Sequence, residues 1–178
     1  MSARINLEEI LKQLPERPFS DFIGKGTLPA GFLGGVETFR AIQNSFDPAI
    51  PLPKEAVKMF LVIKLCSAKS NKALKTVDDD IADAIIKACE SLLEGENIEL
   101  LPASPLFQTG SCTSLNMLAN ESLALLASYF VNDSTWAEDL NSLPINPNDH
   151  INKSQSSNDT SPTALRIMIY KQIKESFI

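Results

Sequence analysis

The chain has 178 residues, of which 44% are hydrophobic and 21% charged, and its formal net charge is −6. That length and apolar content suit one folded domain and exclude a chain that is disordered throughout. The acidic balance argues against a nucleic-acid partner, and the apolar stretches are shorter than the roughly 20 residues that cross a bilayer, so we expect no membrane span.

The number and spacing of the cysteines and the single histidine limit the kinds of disulfide and metal site that this chain could form. Cys66, Cys89 and Cys112 are scattered singly, which indicates neither a disulfide framework nor a zinc site. The single His150 excludes a histidine-rich metal centre, and we predict no metal. The first ten residues lack a long apolar core, so we expect no secretion signal and a cytoplasmic location.

The first 53 residues are rich in proline and glycine, which predicts an irregular N-terminal segment with two short helices, over 7–14 and 36–44. A longer helix is predicted over 54–70. Its buried stripe is Val57, Leu61, Leu65 and Ala68, and its polar face carries Lys58, Lys64 and Lys69.

Two further helices are predicted in the middle of the chain, over 81–92 and 114–131. The acidic run at 78–80 precedes the first of them, where negative charge complements the helix dipole. Cation binding is the alternative for this run, and we favour capping because no calcium-loop spacing follows.

Residues 132–160 form a long polar stretch, and Pro162 then predicts the start of a last helix over 163–177. Apolar residues surround this helix, so we expect self-association or a partner on it. The predicted class is all-α. We expect the chain to divide into an irregular segment 1–53, a helical domain 54–160 and the start of another helical domain at 161–178.

Two polar constellations precede predicted helices. Gln108–Ser114 has hydroxyls and free backbone N–H groups that suit a small carboxylate, although an ordinary capping turn explains the same residues. Residues 146–150 and 154–160 are dense in uncharged donors that suit two carboxylates, and a solvated loop is the alternative there. Residue type alone leaves both choices open.

Longer motifs add a resemblance. The stretch F-Q-T-G-S-C-T-S-L-N-M-L-A-N-E at 107–121 and the stretch I-N-P-N-D-H-I-N-K-S-Q-S-S-N-D-T-S-P-T-A-L-R-I at 145–167 resemble the two N-terminal signature blocks of the class II fumarase and aspartase superfamily. A weaker similarity reaches back to G-V-E-T-F-R-A-I-Q-N-S-F at 35–46. The resemblance implies an all-α N-terminal domain of that type, followed by the first helix of a central helical bundle.

The resemblance also implies an activity, the reversible β-elimination of water or ammonia from a four-carbon dicarboxylate such as malate, without a cofactor. It assigns substrate-carboxylate binding to five residues: Ser111, Thr113, Ser156, Ser157 and Asn158. It assigns a secondary dicarboxylate site to Asn148 and Asp149.

The chain departs from the family pattern in places. Cys112 and Leu118 replace a usual glycine and a usual asparagine, and Cys112 would be strained if its position needs a positive φ. Residues 109–111 and 156–157 favour fumarase, whereas Asn146 and the ending at 166–170 favour aspartase. We favour fumarate hydratase, with aspartate ammonia-lyase as the alternative.

The largest departure is length. Family subunits are more than twice as long, form tetramers and build each site from three subunits. Their catalytic serine and its partner histidine belong to blocks that would lie beyond residue 178. We therefore expect no catalytic residue here, inactivity of this chain alone, and a missing C-terminal part or partner subunit. A non-catalytic dicarboxylate-binding or assembly subunit is the alternative from another class.

Overall fold

A computed structural model describes residues 5–47, 50–108, 110–137 and 142–177, with the Phe177 side chain outside the description. Thr109, named above as favouring fumarase, also lies outside the described residues. The helices are α1 Leu7–Lys12, α2 Val36–Gln43, α3 Lys54–Ala73, α4 Asp79–Leu93, α5 Thr113–Val131 and α6 Ser157–Phe177. A 3-10 turn, Asn97–Leu100, follows α4, and a π-helical turn, Pro147–Ile151, precedes α6.

The all-α prediction is confirmed, with one addition. Strands β1 Arg17–Ser20 and β2 Lys25–Leu28 pair in an antiparallel hairpin in which Arg17 lies opposite Leu28. The Asp21 carboxylate caps the hairpin turn by accepting the backbone N–H of Gly24 at 3.0 Å. The guanidinium of Arg40 donates to both oxygens of this carboxylate, which fastens the hairpin to α2.

Helices α3, α4 and α5 form the body of the domain, and α6 packs mainly against α3. The largest fully buried apolar side chains of the body include Phe60, Leu61, Leu92, Leu115 and Leu123. Burial of this apolar surface is the main driving force for assembling the three helices. Within the described residues, no helix combines the length and apolar character that a membrane crossing requires.

Two sequence-based predictions need correction. Helix α6 begins at Ser157, six residues before the predicted start, and Pro162 lies inside it. Pro162 lies in the second turn of α6, where the absence of its N–H removes one backbone hydrogen bond, the one to the Asn158 carbonyl. Lys64, predicted on the polar face of α3, is 1% exposed, whereas Leu65 is only partly buried.

Candidate functional site

The two signature blocks meet at the beginnings of α5 and α6. The hydroxyl oxygens of Ser111 and Ser157 lie 3.0 Å apart, although 46 positions separate the residues in the chain. The hydroxyl of Ser161 donates to the backbone carbonyl of Ser111 and closes the contact from the next turn of α6. Two segments that are far apart in the sequence, and were predicted as separate polar constellations, therefore form one polar surface.

The first block is shaped by Gln108 and Cys112. The Gln108 side chain accepts the backbone N–H of Leu115 at 3.0 Å and donates to the Pro105 carbonyl at 2.6 Å, so it caps α5 in place of a hydroxyl. Cys112 adopts the left-handed conformation with φ 56°, the strained geometry predicted for this position if glycine is the usual residue. Thr113 is the first residue of α5 and is exposed.

The second block differs from its predicted form. Ser156 ends the preceding turn and its hydroxyl oxygen accepts the backbone N–H of Asn158 at 3.2 Å. Ser157 and Asn158 lie in the first turn of α6 and not on a loop before it. The hydroxyl of Thr163 bonds the carbonyl of Asp159 at 2.7 Å, which supports the backbone beside Pro162. A helix terminus holds these donors more rigidly than a loop would.

Asn148 and Asp149 occupy the π-helical turn. Both residues are exposed, and their backbone N–H groups donate to the side-chain oxygen of Asn146, at 2.8 and 3.0 Å. The backbone N–H of Asn146 donates to Nδ1 of His150 at 2.9 Å. The side chains of Asn148 and Asp149 face solvent. No hydrogen bond within the described chain links these two residues to Ser111 or Ser157. The secondary dicarboxylate site stays a prediction.

Lys64 is the residue near the site that sequence reasoning misplaced. Its amino group donates to the side-chain oxygens of Asn116, at 3.0 Å, and Asn152, at 2.8 Å. Burial lowers the pKa of Lys64 to about 7, because an ammonium ion loses its hydration there. Helical spacing could have identified it, since Lys64 follows Leu61 by three positions and precedes Ala68 by four, and so shares their buried face.

Glu121, the last residue of the first block, is a second buried ionisable group. Its carboxylate accepts the backbone N–H groups of Gly35, Glu37 and Thr38 and the Thr38 hydroxyl, at 2.6–3.1 Å. It therefore caps α2 from α5, and burial raises its pKa. A Cβ atom on Gly35 would lie 2.5 Å from this carboxyl group, so a side chain there would displace the carboxylate that caps α2. Glu121 also lines a cavity of about 280 Å³ together with Asn146 and Pro147.

In the described part of the chain, no three His, Cys, Asp or Glu side chains group around a common point. The donors at the site are hydroxyl, amide and backbone N–H groups. Such groups suit a carboxylate, whose oxygens accept hydrogen bonds, and they bring no charge that titrates near neutral pH.

Known proteins match this chain in sequence. The model of a family described as lyase matches residues 37–178. A class II fumarate hydratase of Wigglesworthia glossinidia brevipalpis is 39% identical over 158 residues, which cover 89% of this chain and 33% of that protein. An aspartate ammonia-lyase of Escherichia coli K12 is 34% identical over 176 residues, which cover 97% of this chain and 34% of that protein.

Solved structures match it as well. The class II fumarase of Schistosoma mansoni superposes with a TM-score of 0.80 and 32% identity, over 89% of this chain and 32% of that one. A fumarate lyase:delta crystallin of Brucella melitensis superposes with a TM-score of 0.79 and 29% identity, over 90% of this chain and 36% of that one. The chain thus spans about a third of the length of the relatives it matches.

Proposed function

Because the chain belongs to the fumarase/aspartase superfamily of lyases and corresponds to the N-terminal portion of its members, we propose that it contributes substrate-binding residues to a fumarate hydratase. The reaction is the reversible hydration of fumarate to L-malate. The observation that carries the proposal is the 3.0 Å approach of the Ser111 and Ser157 hydroxyls, which joins the two signature blocks in one surface.

The chemistry explains why neutral donors suit this surface. Elimination begins when a base removes a weakly acidic proton next to a carboxylate, and negative charge then spreads onto that carboxylate. Hydroxyl and amide groups held in place before the reaction stabilise this charge, because they need no reorganisation when it develops. Ser111, Thr113, Ser156, Ser157 and Asn158 are the donors that we assign to the substrate carboxylate.

The assembled enzyme requires a second part. In this proposal the base and its proton-transfer partner come from the remaining two-thirds of the protein, the complete site forms in a cytoplasmic tetramer, and no cofactor takes part. Purified alone, the chain should dehydrate malate no faster than buffer, since the loss of a catalytic base lowers rates by several orders of magnitude. Protein-dependent turnover by the purified chain would contradict this division of roles.

The test is complementation. We would co-express the chain with a C-terminal segment of a class II fumarate hydratase, beginning after the position that matches Ile178, and assay malate and aspartate. In the active complex, Asn158→Ala should lower kcat/KM about 100-fold, as the loss of a transition-state donor does. Ser154→Ala, just outside the Ser156–Asn158 triplet, is the matched control and should have little effect. Equal effects of both substitutions would indicate that these residues only support the turn.

Aspartate ammonia-lyase is the second candidate. It is supported by Asn146 in the second block and by the 34% identity with the Escherichia coli enzyme over 97% of the chain. Ammonia release from aspartate without malate dehydration would favour it. A complex that binds dicarboxylates but turns over neither substrate would favour a non-catalytic binding or assembly subunit.

A further inference from the structure

A buried polar cluster links the two signature blocks through residues that are not among those proposed to bind the substrate carboxylate. It consists of Lys64 on α3, Asn116 on α5 and Asn152 in the turn before α6. Lys64 and Asn116 are 1% and 4% exposed. The amino group of Lys64 reaches both asparagine oxygens, and the Asn116 amide also donates to the Asn152 oxygen at 3.3 Å. All three side chains are thus tied to one another.

Short stretches of backbone connect the cluster to the proposed carboxylate-binding residues of both blocks. Asn116 lies one helical turn after Thr113 on α5, so its position fixes the start of that helix. Asn152 donates through its amide to the backbone carbonyl of Gln155 at 3.2 Å, immediately before Ser156. Movement of Asn152 would therefore be transmitted to Gln155, which directly precedes the proposed carboxylate-binding residues Ser156–Asn158.

Helix α3 holds the same turn at a second point. Asn71, seven positions after Lys64 and on the same face of α3, donates to the Lys153 carbonyl at 3.1 Å. Ser154 lies between the Lys153 carbonyl, which Asn71 holds, and the Gln155 carbonyl, which Asn152 holds, and it adopts a left-handed conformation with φ 61°. A serine in this conformation is strained, and the turn keeps it only because the flanking contacts hold both ends.

An apolar side chain would serve the core better than Lys64 does. Burial of an amino group is costly, and its removal in favour of a hydrophobic residue is often neutral or stabilising. What the amino group supplies is two donors placed between the acceptors of the two blocks. Packing alone therefore does not account for Lys64.

We infer that Lys64 is a positioning residue, which through Asn116 and Asn152 sets the separation of Ser111 and Ser157 in the carboxylate-binding surface. This inference rests on the proposed function for its consequence in catalysis. Its structural part concerns this chain alone, and it is tested without any activity measurement.

The first experiment uses Lys64→Met, which removes the amino group but keeps the length of the side chain. Backbone hydrogen exchange is followed by NMR at Gln155, Asp159 and Thr160, whose N–H groups bond within the turn and the start of α6. We expect about tenfold faster exchange at these amides and unchanged exchange in α4, because one buried hydrogen-bond partner is lost. Lys69→Met, on the exposed side of α3, is the control and should leave all of them unchanged.

A spectroscopic readout separates positioning from simple packing. In the unsubstituted chain, the titration of the Lys64 side chain, seen at its ε-carbon, should shift the side-chain amide signals of Asn116 and Asn152 with the same midpoint. Among the described titratable groups, Cys89 is the one that interacts electrostatically with Lys64, and burial raises the pKa of its thiol to about 12, so it stays neutral over this range. Asparagine signals that ignore the Lys64 titration would overturn the inference.

Asn152→Ala is a second variant, which keeps the inference testable if Lys64→Met does not fold. It removes the acceptor and leaves Lys64 in place, and it should speed exchange at Gln155 and Asp159 by a similar factor. Unchanged exchange in either folded variant would overturn the inference. In the complemented enzyme, both substitutions should lower kcat/KM while the Lys69→Met control does not. If the unsubstituted complex is inactive, the proposed function fails, and the exchange data still decide the role of Lys64.

Discussion

Helices α5 and α6 each supply one half of the candidate site and have similar lengths, 19 and 21 residues, yet their surroundings are opposite. Every residue of α5 from 118 to 129 is buried. On α6 the buried positions stop at Ala164, and the following turns expose Leu165, Ile167, Ile169, Tyr170 and Ile173. Helix α5 is enclosed by the rest of this chain, whereas most apolar side chains of α6 after Ala164 are exposed within the described residues.

This difference indicates how the stability of the chain is distributed. Substitutions on α5 should unfold the domain, and equivalent substitutions on α6 should change only what the domain associates with. It also explains why the site lies at the start of α6, since that first turn is the part of the helix that the chain itself holds in place.

The largest expected effect is a cavity in α5. Leu123→Ala should lower the free energy of unfolding by about 2–5 kcal/mol, because Leu123 is fully buried and the surrounding side chains relax only partly. Ile169→Ala on α6 should lower it by less than about 0.5 kcal/mol, since Ile169 is half exposed. Urea unfolding followed by circular dichroism measures both. Similar losses in the two variants would mean that α6 is as strongly held as α5.

The next effect concerns the buried carboxylate of α5. Glu121→Ala should cost about 2 kcal/mol, because three backbone N–H groups and the Thr38 hydroxyl lose their acceptor. Glu90→Ala breaks an exposed ion pair with Lys69 and should cost no more than about 1 kcal/mol. Thermal unfolding of the two variants under one buffer condition gives the comparison.

Stability should also depend on pH through Lys64. Its pKa is about 7 in the folded chain and near 10.5 when unfolded, so above pH 7 the unfolded state binds more protons and stability rises with pH. The slope is at most about 1.4 kcal/mol per pH unit. Measurement between pH 7 and 9 avoids the thiol of Cys89, whose raised pKa has the opposite effect at higher pH. Lys64→Met should remove the rise, and an unchanged slope in that variant would assign it to another group.

The smallest effect on unfolding is expected on the far end of α6. Replacing Ile169 and Ile173 together by lysine should change the free energy of unfolding by no more than about 0.5 kcal/mol, since both side chains are half exposed. The same variant should abolish any self-association of the chain that analytical ultracentrifugation detects, because it charges the exposed apolar face. Association that survives the substitution would place the contact surface elsewhere.

The sequence predicted helices α3 to α5 well, because their apolar residues recur at helical spacing over several turns. It missed the hairpin, whose strands contain Pro18 and Gly26 and show no alternation of apolar and polar residues. It placed the start of α6 at Pro162, since proline is a common first residue, whereas the hydroxyls of Thr160 and Thr163 support the two turns around it.

The sequence motifs predicted which residues belong to the candidate site but not how those residues are arranged. The residue pattern could name Ser111 and Ser157, but their contact depends on how α6 packs on α3 and α5, which no local spacing encodes. Lys64 was missed because a lysine is ordinarily assigned to a solvated face. Its burial follows from two asparagine oxygens that come from other parts of the chain.

The capping of α2 by Glu121 has a consequence for the order of folding. The bonds join residues that are 83 to 86 positions apart, so they close a long loop of chain. Closing such a loop costs entropy that only an already formed body can offset. The N-terminal hairpin and α2 should therefore dock late, onto a three-helix core that has folded first, and the Glu121 carboxylate should stay in contact with water until they arrive.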